Sequence, residues 1–116
     1  MKVRIGNDIL DIKKFNKSSK QSKFLENVFS PSELKNPNTE HLAGLFAAKE
    51  AIMKALDLKP GSWLKIEISN TRSGKPIVKF SNEIKNKIFN YDLSISHNGK
   101  YALATFVVLL NDSRKR

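Results

Sequence analysis

A chain of 116 residues is long enough for one domain with a modest core and too short for two. It contains no cysteine, which removes disulfides, thiolate catalysis and thiolate-bound zinc, and its two histidines lie far apart, so any metal should be a hard cation held by oxygen. The net charge of +10 is carried mostly by Lys, which points to an anionic partner but away from base-specific DNA reading, where Arg's bidentate fork is the commoner tool.

From the N-terminus, Val3 and Ile5 alternate with Lys2 and Arg4, predicting a short strand over Lys2 to Gly6 that Asn7-Asp8 ends. MKVRIGND lacks the apolar segment of a signal peptide and no run of about 18 apolar residues follows, so no membrane span and a cytoplasmic location are expected. Ile9, Leu10, Ile12 and Phe15 repeat with helical spacing behind Asp8, with Asp11 three residues on. Asp8 therefore has two readings: a helix cap, or a metal ligand at a strand end behind a glycine. Lys13 to Lys23, KKFNKSSKQSK, serves either as a solvated face or as a docking patch for an acidic helix. Phe24, Leu25, Val28 and Phe29 predict a short amphipathic helix. Ser30-Pro31-Ser32-Glu33 then supplies another start signal, an N-cap Ser followed by Pro at the first helical position and Glu at the third.

The longest helical pattern runs from His41 to Lys59, with Asn38 or Thr39 as its cap and Glu40 favoured in its first turn by the helix dipole. Leu42, Leu45, Phe46, Ile52, Met53 and Leu56 form one stripe; Gly44, Ala48, Ala51 and Ala55 form a second, small enough to admit another backbone or subunit. A helix covered on both sides must account for its charges. Lys49 falls inside the large apolar stripe, where it either snorkels to solvent or needs partners, water or a ligand, and Glu50, Lys54 and Asp57 share a flank. Glu50 and Lys54 are also spaced as an ordinary i,i+4 pair.

Beyond the Lys59-Pro60-Gly61 break, Trp63 to Ser69 alternates and predicts a strand, which Arg72-Ser73-Gly74-Lys75-Pro76 turns into a returning strand at Ile77 to Phe80. Such a turn can offer backbone N–H groups and one ammonium to a phosphate, or can be a turn and nothing more. Ser81 caps a predicted helix from Asn82 to Phe89. Tyr91 to His97 and Lys100 to Leu110 flank Asn98-Gly99, a dipeptide suited to a two-residue type I′ hairpin turn that sets His97 opposite Lys100. Residues 111 to 116 are a polar tail. This order predicts an α+β domain: an antiparallel sheet packed by one long central helix and shorter helices.

Five segments together resemble the 4′-phosphopantetheinyl transferases of the short, single-domain class. Gly6-Asn7-Asp8-Ile9 with Asp11-Ile12 resembles a G-x-D-I-x-x-I opening, and Phe29 to Leu34 resembles F-T-x-x-E-L. Ala47-Ala48-Lys49-Glu50-Ala51 with Lys54-Ala55 is similar to the A-x-K-E-A-x-x-K-A helix, Gly74-Lys75-Pro76 to the G-K-P turn, and Ser94-Ile95-Ser96-His97 to the S-x-S-H strand end. The chain departs from the pattern at Leu45, where Arg is common, at Leu56-Asp57-Leu58, where a Gly-Thr-Gly-like turn is common, and near Lys14, where Arg is common.

The resemblance implies transfer of 4′-phosphopantetheine from coenzyme A to a serine of an apo acyl carrier protein, for fatty acid biosynthesis, with release of adenosine 3′,5′-bisphosphate. It implies a homotrimer with sites between subunits. Asp8 and Glu50 would ligate Mg²⁺, and Lys54, with Lys49, would stabilise the departing phosphate, while Glu50 or a metal-proximal water takes the serine proton. Lys49, Lys54, Gly74, Lys75, Pro76, Ser96 and His97 would contact the coenzyme, and Lys13 and Lys14 the acidic carrier protein. The alternative from net charge alone is a small basic nucleic-acid-binding module. A third reading is an inactive relative that keeps the fold.

Overall fold

The computed structural model describes residues 1–112; positions 113–116 of the expected polar tail lie outside the described residues. The chain runs β1 (Lys2–Asp11), α1 (Ile12–Ser19), α2 (Phe24–Val28), a 3₁₀ turn (Glu33–Lys35), α3 (Thr39–Leu56), a second 3₁₀ turn (Trp63–Lys65), β2 (Ile66–Asn70), β3 (Pro76–Phe80), α4 (Asn82–Lys85), β4 (Ile88–His97) and β5 (Tyr101–Leu110). The strands form two antiparallel sheets, one ordered β1-β5-β4 and one β2-β3. The expected α+β arrangement around a long helix is thus present. Among the described residues no helix is long and apolar enough to cross a membrane.

The first strand is twice its expected length. β5 offers ten consecutive partners, and β1 pairs with all of them from Lys2↔Leu110 to Asp11↔Tyr101, carrying Asn7 and Asp8 along as strand residues. Asp8 is therefore no helix cap. Asp11 takes that role, accepting a hydrogen bond from the Lys14 N–H at 3.1 Å. Ser30 and Glu33 make a reciprocal capping box, the Ser30 N–H donating to Glu33 Oε1 at 2.8 Å and the Glu33 N–H to Ser30 Oγ at 3.3 Å. Asn38 caps α3 by accepting from the His41 N–H at 2.9 Å. At the other end Asp57 adopts the left-handed conformation, φ +54°; Asp is among the few non-glycine residues that visit it.

α3 is covered on both of its apolar stripes, and the flank of Glu50 and Lys54 opens towards solvent. The large stripe buries Leu42, Leu45, Ile52 and Met53. Phe46 joins Phe15, Phe24 and Trp63 in a chain of ring contacts 5.5–6.3 Å between centroids. The small stripe faces the chain's own sheet and not a neighbouring subunit. A Cβ added at Gly6 would lie 1.8 Å from the Ala51 carbonyl oxygen, and one added at Gly44 would lie 3.0 Å from Ile95 Cγ2. Gly6→Ala must push β1 off α3, and a loss of about 1–3 kcal/mol is expected in a denaturant melt; an unchanged midpoint would show that the contact yields.

Three other expectations shift. Trp63 to Lys65 coils as a 3₁₀ turn, so β2 starts at Ile66; α4 stops at Lys85 and β4 starts at Ile88, because the segment pairs with the end of β5. The β4–β5 turn is centred one residue later than predicted. Asn98 N–H donates to the Tyr101 carbonyl and its side chain accepts from the Lys100 and Tyr101 N–H groups, leaving Gly99-Lys100 as the central pair. Gly99 supplies the positive φ, +91°, that the first central position of a type II′ turn needs. His97 consequently pairs with Ala102 and not Lys100.

The sheet's outer face stays apolar and open. Val3, Ile5 and Ile9 are 60–68% exposed, and the β5 residues Leu103 and Val107 beside them are exposed as well. Contiguous apolar surface of this kind is uncommon on soluble monomers.

Candidate active site

Strand alternation turns Gly6 and Asp8 towards α3, and the helix answers with Glu50 and Lys54, one turn apart. Lys54 Nζ lies 3.0 Å from Asp8 Oδ1 and donates to the Asn7 carbonyl at 2.9 Å. The Asp8 side chain is mostly buried and that of Lys54 mostly exposed, so the ammonium sits at a rim. Glu50 accepts from the indole N–H of Trp63 at 2.7 Å. Glu50, Lys54, Met53, Asp57, Leu58, Pro60 and Trp63 line a groove of about 300 Å³. Of the residues expected from sequence to act together, Glu50 and Lys54 line the groove, and Lys54 reaches from it to Asp8 on β1.

Two carboxylates fit a Mg²⁺ site that is completed by water and substrate phosphates, and they fit poorly a closed site made of protein ligands alone. Among the described residues no group of three or more His, Asp or Glu forms such a closed site.

Lys49 does something else. Its side chain is fully buried, and its ammonium donates to the Val28 carbonyl at 2.7 Å, Glu33 Oε1 at 2.7 Å and the Trp63 carbonyl at 3.1 Å. Three donors meet three acceptors, which leaves none for a phosphate. The coenzyme-contact and phosphate roles expected for Lys49 are corrected accordingly: it is a packing cation. Its partner Glu33, legible in sequence only as a capping residue, also accepts from the Ile68 N–H at 2.7 Å.

The remaining expected coenzyme residues lie elsewhere on the chain. In the Gly74-Lys75-Pro76 turn the backbone donors are consumed locally. Gly74 N–H goes to the Thr71 carbonyl at 2.9 Å and Lys75 N–H to Thr71 Oγ1 at 3.1 Å, so the turn offers an anion only the Lys75 ammonium, which stands 3.7 Å from Asp92 Oδ1. Ser96 pairs with Leu103 and lies on the sheet's outer face, whereas His97 lies on the α3 side with its Nδ1 3.3 Å from Glu40 Oε2. Glu40 and Lys54 sit at opposite ends of α3, about 20 Å apart by helical rise. Lys13 and Lys14 are exposed on α1, and Lys14 borders a hollow of about 250 Å³ lined by Leu10, Phe15, Phe24 and Phe46.

Near His97, burial holds the His41 imidazole below its ordinary pKa, helped by the charge of His97 and opposed by Glu33. With the folded value below the unfolded one, the unfolded chain binds more protons in that window, so stability rises with pH. The melting temperature is expected to fall modestly as pH drops below the ordinary histidine range, and His41→Asn should flatten that slope; a parallel slope in the variant would assign it to other groups.

A sequence profile of the 4′-phosphopantetheinyl transferase superfamily matches residues 4–106. The chain belongs to this superfamily. Among curated relatives, the holo-[acyl-carrier-protein] synthase of Finegoldia magna is 33% identical, over 97% of this chain and 100% of that protein. That of Fusobacterium nucleatum is 38% identical, over 94% and 100%. Among solved structures, the Helicobacter pylori holo-[acyl-carrier-protein] synthase in complex with coenzyme A superposes with a TM-score of 0.82 at 37% identity, covering 90% of this chain and 99% of that one. The Chronobacterium ammoniagenes synthase–coenzyme A complex also reaches 0.82, at 30% identity and 97% and 100% coverage. These transferase relatives lend no support to the nucleic-acid reading.

Trp63 is the neighbour of Glu50 in the groove that sequence reasoning missed. Its position at the head of an alternating segment reads as strand, and no periodicity announces that its indole reaches back to α3.

Proposed function

We propose that the protein is a single-domain, cytoplasmic holo-acyl-carrier-protein synthase that moves 4′-phosphopantetheine from coenzyme A to a serine of an apo acyl carrier protein, in the service of fatty acid synthesis. The observation that carries this reading is a groove lined by Glu50 and Lys54, with Lys54 bonded to Asp8 on β1, in a chain whose relatives bear that name.

In the reaction the serine oxygen attacks the phosphorus that bears the pantetheine arm, and the bond from that phosphorus to the bridging oxygen breaks. Adenosine 3′,5′-bisphosphate leaves with that oxygen, and the serine proton passes to a base. Asp8 and Glu50 are the residues that would hold Mg²⁺, which when bound neutralises charge on the diphosphate. Lys54 stands at the rim with a long stem and one anionic partner, so it can exchange Asp8 for a phosphate oxygen as the leaving group gathers charge. Glu50, held beside the groove, is the side chain placed to take the serine proton directly or through water. Lys75 and His97 would contact the coenzyme, with Gly74, Pro76 and Ser96 beside them, and the basic face of α1 with Lys13 and Lys14 would steer the acidic carrier protein.

The assembly would be a homotrimer. Asp8 and His97 mark opposite ends of α3, so a coenzyme touching both is served better by two chains than by one. The apolar outer face of the sheet, with Ile5 68% exposed, is the surface suited to a second copy. Ile5→Lys is expected to convert the trimer to monomers in sedimentation and to depress turnover; a trimer that survives it would place the interface elsewhere.

The decisive experiment incubates the chain with apo carrier protein and coenzyme A, with Mg²⁺ or chelator, and weighs the carrier. A metal-dependent gain of one phosphopantetheine is expected. No gain with several carriers would overturn the assignment.

A further inference from the structure

Trp63 is the only tryptophan in the chain, and three residues on one face of α3 hold it. Phe46 packs against its ring at 6.3 Å with planes 33° apart, Lys49 Nζ donates to its carbonyl at 3.1 Å, and Glu50 accepts from its Nε1 at 2.7 Å. A partly exposed indole beside an open groove has water available for its N–H. Here the backbone of Trp63 is tied to the saturated ammonium of Lys49 while its ring is tied to Phe46, so the N–H has little freedom to turn elsewhere. The 2.7 Å separation is that of a charge-assisted hydrogen bond.

A glutamate on an exposed helix flank has three rotatable bonds and samples several rotamers. Glu50 instead meets a donor whose position is set by the interior. We propose that Trp63 is a positioning residue of the transfer reaction: by taking one oxygen of Glu50, its indole N–H fixes the carboxylate and presents the other oxygen to the cation and the attacking serine. This rests on the transferase reading for what Glu50 does; the hydrogen bond does not. The arrangement places a rigid donor behind a metal ligand, as partners one shell out commonly do, with effects of roughly 10–100-fold on metal affinity or activity.

With one tryptophan, ¹⁵N labelling yields one indole cross-peak, assigned without ambiguity. Glu50→Gln exchanges an anionic acceptor for a neutral one and is expected to move that peak; a peak that stays in place overturns the proposal. Trp63→Phe keeps a ring against Phe46 and deletes the N–H. With Mn²⁺ alone as the probe, its affinity by electron paramagnetic resonance is expected to fall about tenfold, with a loss of similar size in kcat and an unchanged KM for the carrier protein. The double variant should bind Mn²⁺ no more weakly than Glu50→Gln. If Trp63→Phe fails to fold, replacement of Trp63 by β-(3-benzothienyl)alanine removes the N–H while keeping the bicyclic shape. Wild-type Mn²⁺ affinity and kcat in either variant sink the positioning role. A wild-type chain that transfers nothing, yet shows a peak sensitive to Glu50, sinks the transferase reading and leaves the hydrogen bond standing.

Discussion

Lys49→Met is expected to lower stability by about 3–5 kcal/mol, because it strands the Glu33 carboxylate in the interior without its cation. Both side chains are fully buried. Glu33 retains the Ser30 and Ile68 N–H groups, but these neutral donors do not offset a buried negative charge. The Val28 and Trp63 carbonyls lose their donor as well. Burial already pulls the Lys49 pKa below the ordinary lysine range against the opposing pull of Glu33, a sign that the site tolerates this charge only with its partners in place. A melt followed by circular dichroism reads the effect. Adding Glu33→Leu should recover part of the loss, since an apolar pair of similar volume is often as stable as a buried ion pair. Recovery stays incomplete because the backbone groups that Lys49 and Glu33 satisfied remain buried. A single variant that melts with the wild type would mean that the interior admits water to this pair.

One residue further along the same helix the expected outcome reverses. Glu50→Gln and Asp8→Asn should each reduce kcat/KM by about 100-fold or more, at or beyond the top of the range for residues that merely support a metal ligand. Both should fold normally. The Asp8–Lys54 pair is open to solvent on the lysine side and contributes under about 1 kcal/mol, and Gln can still accept from Trp63. Initial rates of mass gain on the carrier protein, at saturating Mg²⁺, measure the loss. Near wild-type rates in either variant would remove that residue from the chemistry. Adjacent positions 49 and 50 thus divide the work of α3, one holding the interior together and the other facing the groove.

How much of this could be read from the sequence follows the range of the interactions involved. The α3 pattern, its cap at Asn38 rather than Thr39, and the existence of the two hairpins rest on contacts within a few residues and are present, whereas the hairpins' strand starts and the centre of the second turn shift by a few residues. Asp8, Glu50 and Lys54 were singled out through motif resemblance, which carries long-range information that periodicity lacks, and the structure brings Lys54 to Asp8 and to the groove that Glu50 lines. The capping reading of Asp8 failed because the length of β1 is decided by β5, nearly a hundred residues away. Lys49 was misassigned for the same reason: nothing local reveals that Glu33, the Val28 carbonyl and the Trp63 carbonyl converge on it. The small stripe of α3 showed correctly that a close neighbour exists but not that the neighbour is this chain's own first strand.

That strand and α3 touch through main chain at Gly6 and Ala51, with no side chain interposed. Asp8 lies two residues beyond the contact and Glu50 one residue before it. The gauge that spaces the two carboxylates is therefore built of peptide units, which have fixed dimensions, and not of methyl groups, which repack. Substitutions elsewhere in the interior can drift without detuning the pair, and a carboxylate spacing set in this way tolerates sequence divergence that would blur one set by interlocking side chains.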